Sequence, residues 1–517
     1  MWKNFKIYCC IYEVRKMKKI KAFYCKFQNV SFKDKVFLII KIMCRLLGIK
    51  TYLLLGGYYQ EDDDLQSRQD QKLYMEFLMK REKNYPVYSR RTIDIEEKEG
   101  IAYIDYLKKE NINSIEKIKV ILDRKNSYVA LMAERLDRGG LEEVIKTLAI
   151  EYHKRNLPIE IFCTREGGKI AEELKKIGIK VIIFHGNSKK FRKYIKNNAP
   201  VLVNTHYVID FMEILKYNGI PVVEVIHNMY VFLDKKRIRM EREKSSFINQ
   251  YIAVSEMAKQ LFIDKIIEVP NDKITVIGNA VNSNRMVKKK KEEIRHQYKF
   301  DQDCFIFLVA GSIDARKNQI GIVRAWDIFR QLVEEPVMLI LAGATSDYEY
   351  EKKVRNIIES RKLEQSVRLL GYCNEIFDLM NAADALIVDS YYEGWSVAAT
   401  EAIYLGLPII HSRCGSGVEL TADGQNGILI NNPLKNIAQY NNIKLLNIMR
   451  TGINDNMKEM VSAMLDLYDN RSAWKQKRMS ISNYARDHIN IDNMIEKYVH
   501  IYLDTIVSKE NYEVTSK

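Results

Sequence analysis

The sequence predicts an α/β chain built on two doubly wound parallel sheets of similar size, with an N-terminal extension of different character. Three observations carry that reading. Short β-branched runs alternate with helical periodicity from about residue 121 onward. A charged stretch near residue 290 breaks the alternation, which then restarts. The length of 517 residues suits two or three domains, and a hydrophobic share of 47% suffices for real cores.

The first alternation opens with the apolar run "YVALMAERL" (Tyr128 to Leu136), and "DRGGLEEVIKTLAIEYHKRN" follows as a Gly-Gly turn entering an amphipathic helix. Strand-like "IEIFCT", "KVIIFHG", "PVLVNTH", "PVVEVIHN", "QYIAVS" and "KITVIGNAV" come next, with helical segments such as "AEELKKIGI" and "MEILKYNGI" between them. The segment 282–303 reads as linker and surface helix. The second alternation runs from "CFIFLVAGSI" through "VMLILAG", "VRLLGY", "DALIVDS" and "LPIIHSRCG" to "GILI". These shifts divide the chain into an extension of unknown fold (1–120), two α/β domains (121–290 and 291–485) and a terminal helix (486–507) crossing back to the first domain.

The net charge of +15 is uneven. Residues 1–50 hold thirteen Lys/Arg against only Glu13 and Asp34. That imbalance suits an anionic surface, either nucleic acid or the inner leaflet of a membrane, or a solvated basic tail. No helix-turn-helix pattern or aromatic-basic interleaving accompanies it, so nucleic acid is not expected. The stretch "VFLIIKIMCRLLGIKTYLLL" (Val36 to Leu55) is interrupted by Lys41, Arg45 and Lys50. Spanning a bilayer takes about 20 apolar residues in a row. The stretch therefore reads as an interfacial amphipathic helix or a packed core helix. Eight cysteines without C-x-x-C or zinc-like spacing fit a reduced, cytoplasmic setting, peripheral to the inner membrane face in the interfacial reading. The acidic run Asp62 to Asp64 follows no strand and reads as surface, not as a metal ligand set.

The chemistry concentrates in "SYYEGWSVAATEAIYLGLPIIHSRCGSG" (Ser390 to Gly417), where Glu393 and Glu401 stand among apolar and small residues. A strand runs into a loop holding Glu393 and Gly394. Ser396 then caps a helix that ends at Gly406 and Pro408, with Glu401 in its second turn. A helix start suits an anion, and a carboxylate at the same mouth suits sugar hydroxyls. The alternative leaves Glu393 as a helix-start acid and Glu401 on the surface.

Glu393-x7-Glu401 with Gly394 between, followed by "GLPII", resembles the E-x7-E motif of retaining GT-B glycosyltransferases, family 4 in particular. "DRGGLEEVIKTLA", "NTH", "IHN", "VIGNAVN", "VAGSIDARKNQ", "LILAG", "LLGY" and "DGQNGILI" resemble further landmarks of that family, in the right order. The resemblance implies two facing Rossmann-like domains, an N-terminal acceptor domain and a C-terminal donor domain. It implies that Glu401 meets the ribose of a nucleotide sugar, that Glu393 lies near the donor hexose, and that Lys317 meets the donor diphosphate. The family's usual Arg is Ser312 here, which makes Arg316 the candidate second cation. Gly139 and Gly140 are placed near the diphosphate. Gly394, Trp395, Ser396, Gly415 and Ser416 are placed around the donor, with His206 and His227 in the cleft as candidate catalytic histidines.

The implied reaction is retaining and metal-independent. A hexose-type sugar would pass from a UDP-sugar to a glycan or lipid-linked acceptor in cell-surface polysaccharide or glycolipid synthesis, with no further cofactor. The other readings weighed are an epimerase or phosphorylase of the same fold and a partner subunit that has lost catalysis, for which Ser312 is the support.

Overall fold

The computed structural model describes residues 113–515, apart from 138, 267–270, 282–288 and 441. The chain divides into two units, 1–91 and 92–517, and the described residues belong to the second. The basic stretch 1–50, the amphipathic stretch 36–55 and the acidic run Asp62 to Asp64 lie outside them.

Among the described residues the first sheet has seven strands: β1 (Val129–Ala133), β2 (Ile159–Cys163), β3 (Lys180–Ile183), β4 (Leu202–His206), β5 (Val222–Ile226), β6 (Gln250–Ala253) and β7 (Ile274–Val276). Every pairing is parallel, in the order β3-β2-β1-β4-β5-β6-β7. The second sheet has six: β8 (Phe305–Ala310), β9 (Val337–Ala342), β10 (Val367–Gly371), β11 (Ala385–Val388), β12 (Ile409–Ser412) and β13 (Gly427–Ile430). It is again parallel, in the order β10-β9-β8-β11-β12-β13. Central strands such as β1 and β8 are buried along their whole length, which explains their unbroken apolar sequences. The order reverses between β1 and β4 and between β8 and β11, and ligands bind beyond the strand ends at such points.

Each sheet has its own apolar core. The helix Arg471–His488 packs on Val397–Tyr404 of the second domain. After Ile489 and Asn490 the chain crosses back, and the helix Ile491–Thr515 adds Met494, Ile495, Tyr498, Val499 and Tyr502 to the first core.

Three sequence expectations need correction here. The boundary expected at 120 falls inside the helix Ser114–Lys125, whose Ile118, Ile121 and Leu122 belong to the first core. The boundary at 485 likewise falls inside the helix Arg471–His488. The segment expected as linker and surface helix contains the helix Lys291–Gln297, yet its Ile294 and Arg295 are buried. The Arg295 guanidinium donates to the carbonyls of Ala382, Gln302 and Cys304 and to Asp384, and those partners make its burial tolerable.

Candidate active site

Both switch points carry the residues singled out above. In the second domain, Lys317 follows β8 and Glu393 follows β11, the two neighbours at which strand order reverses. Asn318 holds the first of these loops. Its backbone is left-handed (φ 54°), its Nδ2 donates to Asp389 over 2.7 Å, and its Oδ1 accepts from the Gly321 amide and the Tyr391 hydroxyl. Asparagine tolerates that backbone, and its side chain caps the helix Gln319–Arg330.

Glu393 and Glu401 are both buried, at 4% and 8% exposure, so Glu401 is not a surface residue. Ser396 caps the helix Val397–Tyr404 by accepting from the Ala399 amide, and Glu401 stands in that helix's second turn. Glu393 accepts from the Lys317 ammonium and from the Ser390 hydroxyl. Burial pushes the Glu393 carboxyl up. The Lys317 and Arg316 charges, with the bonds from Lys317 and Ser390, outweigh that and bring it down to about 2. Glu393 is therefore ionised at neutral pH. Arg316 adds its charge to the same carboxylate, so the two adjacent cations face one acid although their own loop also holds Asp314. Of the ion pair, the Lys317 side chain is 19% exposed and Glu393 only 5%, so the ammonium forms its outer half.

The loop before the helix is tied down on several sides. Ser416 Oγ accepts from the Ser396 amide over 2.9 Å, Trp395 Nε1 donates to Thr400, and Thr400 donates to the Ser396 carbonyl. Gly415 (φ 48°) presses against the Glu393 and Gly394 carbonyls, where a Cβ would lie 2.6 Å from an oxygen. Ser312 donates to Asp314, and Gln319 donates to the Ser312 carbonyl, so Ser312 orders its loop and supplies no charge.

The first domain meets this loop directly. A Cβ on Gly394 would lie 1.9 Å from the His227 carbonyl oxygen, and Trp395 covers Gly278. Phe232 stacks on Tyr392 with ring centroids 5.5 Å apart. His227 follows β5 and is half-buried, whereas His206, at the end of β4, is buried behind it. His206 Nδ1 lies 2.7 Å from His227 Nε2, and His206 Nε2 lies 3.0 Å from Asn204 Oδ1. Both ring nitrogens of His206 are thus engaged within the protein, and His227 is the histidine next to Gly394. Burial lowers both imidazoles: His206 well below its usual value, helped by the neighbouring ring, and His227 to about 3.

Gly139 and Gly140 begin the helix Gly140–Lys154. Gly139 offers no side-chain cap, and the Glu142 carboxylate folds over it. The Gly139 carbonyl accepts from the Glu143 amide within that helix, and a Cβ on Gly140 would meet nothing within 4 Å. Sequence reasoning passed over Ser390, Asp314, Asn318 and Asn204. Each adjoins a residue it had singled out, but only through-space bonds distinguish them.

Comparisons with known proteins identify the family and the fold. The family described as "Glycosyl transferases group 1" matches residues 290–459, and "Glycosyltransferase Family 4" matches residues 138–285. The chain belongs to the group 1 GT-B glycosyltransferases. An uncharacterized glycosyltransferase of Methanocaldococcus jannaschii is 23% identical over 272 residues, 46% of this chain and 65% of that one, just under two thirds of its length. The D-inositol 3-phosphate glycosyltransferase of Streptosporangium roseum is 23% identical over 340 residues, covering 57% and 77%. The capsular polysaccharide biosynthesis glycosyltransferase CapH of Staphylococcus aureus is 22% identical over 314 residues, covering 55% and 81%. Among solved structures, Anabaena HepE in complex with UDP has a TM-score of 0.59 at 17% identity, over 72% of this chain and 99% of that one. A glycosyltransferase from Rickettsia africae has a TM-score of 0.58 at 18% identity, over 74% and 99%. At such identities the structures establish the GT-B fold. Among the described residues no helix is long and apolar enough to cross a membrane.

Proposed function

We propose that this GT-B chain is a retaining glycosyltransferase that moves a hexose-type sugar from a UDP-sugar to a glycan or lipid-linked acceptor. The observation that carries the reading is the buried Glu393–Lys317 pair, with Arg316 beside it, at the second sheet's switch point. Relatives named for capsular polysaccharide and O-antigen synthesis, and structural neighbours solved with UDP, support the substrate classes.

In this reading the donor diphosphate lies against Lys317 and Arg316. Their fixed charges stabilise the negative charge that develops as the sugar–phosphate bond breaks, so no metal ion is required. The leaving diphosphate takes the acceptor's proton while the new glycosidic bond forms on the same face. Glu401 binds the ribose hydroxyls, and Glu393 keeps Lys317 aimed outward beside the hexose. Gly139 and Gly140 let the backbone approach the diphosphate. The basic first fifty residues hold the enzyme at an anionic membrane surface, where a lipid-linked acceptor would lie.

Sugar transfer by Glu393→Gln, Glu401→Gln and Lys317→Ala tests the reading. Each should fall at least ~10²-fold, the scale of one preorganised electrostatic contact. Wild-type rates in all three would overturn it. Deleting residues 1–55 should move the protein from membrane to soluble fractions, and an unchanged distribution would remove the membrane contact.

A further inference from the structure

A buried line of hydrogen bonds runs from the terminal helix to the cleft. The Tyr152 hydroxyl donates to Tyr502 over 3.0 Å, and Tyr502 donates to Asn204 Oδ1 over 2.9 Å. His206 Nε2 lies 3.0 Å from the same oxygen, and His206 Nδ1 lies 2.7 Å from His227 Nε2. Tyr152, Tyr502, Asn204 and His206 are buried, at 0–1% exposure.

The proton positions follow from one fixed point. Asn204 Nδ2 lies 3.0 Å from the Val223 carbonyl, which can only accept, so the amide nitrogen must face it. Oδ1 therefore faces His206, and His206 Nε2 must carry the hydrogen. Burial keeps the ring neutral, so Nδ1 is bare and accepts from His227 Nε2–H.

We propose that Asn204, seated by Val223 and by Tyr502 of the terminal helix, is a positioning residue. It holds His227 as the Nε2–H tautomer and leaves Nδ1 free to accept a hydrogen bond from a sugar hydroxyl. The identity of that hydroxyl rests on the transferase reading, whereas the tautomer does not. The terminal helix thereby acts on the cleft through one amide, besides filling the first core.

The test is the imidazole nitrogen spectrum of the full chain labelled with ¹⁵N-histidine, with His227→Gln identifying the His227 signals. Wild type should show His227 protonated at Nε2. Asn204→Leu removes the oxygen that holds the His206 hydrogen on Nε2, so the His227 proton should spread from Nε2 to Nδ1. His206→Phe removes the acceptor and should give a tautomer mixture, which decides the matter if Asn204→Leu does not fold. With a turnover assay in hand, Asn204→Leu should lower kcat about tenfold, the scale of one lost hydrogen bond, and leave donor KM within about twofold. A wild-type His227 protonated at Nδ1, or a ring spectrum unmoved in folded variants, would overturn the proposal. The spectrum needs no turnover, so its outcome is separate from that of the transferase reading.

Discussion

The ammonium of Lys317 and the Ser390 hydroxyl both donate to the same oxygen of Glu393. That oxygen already has two donors, and the carboxylate is ionised throughout the neutral range. A group in that state is a poor proton acceptor, so in the proposed function it positions a cation. An arriving diphosphate would share Lys317 with Glu393, which keeps the ammonium from folding away when the site is empty.

The pair should be visible in acid. The Glu393 carboxyl lies at about 2 in the folded chain against an ordinary 4.5. A lowered folded value gives stability that is present above 4.5 and lost as pH falls toward 2, about 3 kcal/mol in all. Urea unfolding of wild type and Glu393→Gln at pH 7 and pH 3.5 should show the gap between them narrowing by about 1 kcal/mol in acid. An equal gap at both values would mean the carboxylate is not held by its cations.

Asn318 offers a test of the loop that carries Lys317. Alanine there removes the helix cap and one partner of buried Asp389, and places a Cβ residue in left-handed backbone. The combined cost should be about 3 kcal/mol. Glycine loses the same bonds without the backbone strain, so Asn318→Gly should be more stable than Asn318→Ala by about 1 kcal/mol. Denaturant midpoints of the two variants check the ordering, and nucleotide thermal shift should weaken in both.

Much of this architecture was legible in the chain, for reasons that particular residues make plain. The two sheets could be read because a buried parallel strand such as Phe305–Ala310 must be apolar throughout, while the helices between keep a 3.6-residue period. Ser396 could be read as a cap because its side chain acts on an amide three residues away. Burial of Glu393 could not, since its cation comes from 76 residues earlier in the chain. Asn204 and Tyr502 are 298 residues apart, and no local pattern encodes their bond. Arg295 misled because a charged run normally faces water, and only the fold supplies the carbonyls that satisfy it.

The terminal helix should be needed for the first domain to fold. Ile495 is fully buried in that domain's core although it follows the whole second domain in sequence. Ile495→Ala should destabilise by about 2–5 kcal/mol. Calorimetry should show the loss in the first domain's transition, with the second domain's transition moving much less.

One of the contacts between the domains rests on a glycine, and that makes it separable from the chemistry. Gly394 follows Glu393, and a Cβ there would meet the His227 carbonyl oxygen at 1.9 Å and the Asn228 Cα at 3.0 Å. Both neighbours are backbone, so neither can rotate aside, and the loop must retreat from the first domain. Gly394 is not among the positive-φ residues, so alanine brings a steric effect rather than a backbone penalty. Lys317, Arg316 and Glu401 all lie on elements of the second domain. Gly394→Ala should therefore leave UDP affinity within about threefold while turnover falls ~10²-fold, because the cleft no longer closes on the acceptor side. Calorimetric UDP titration beside a transfer assay separates the two, and equal losses in both would place the defect in the donor pocket instead.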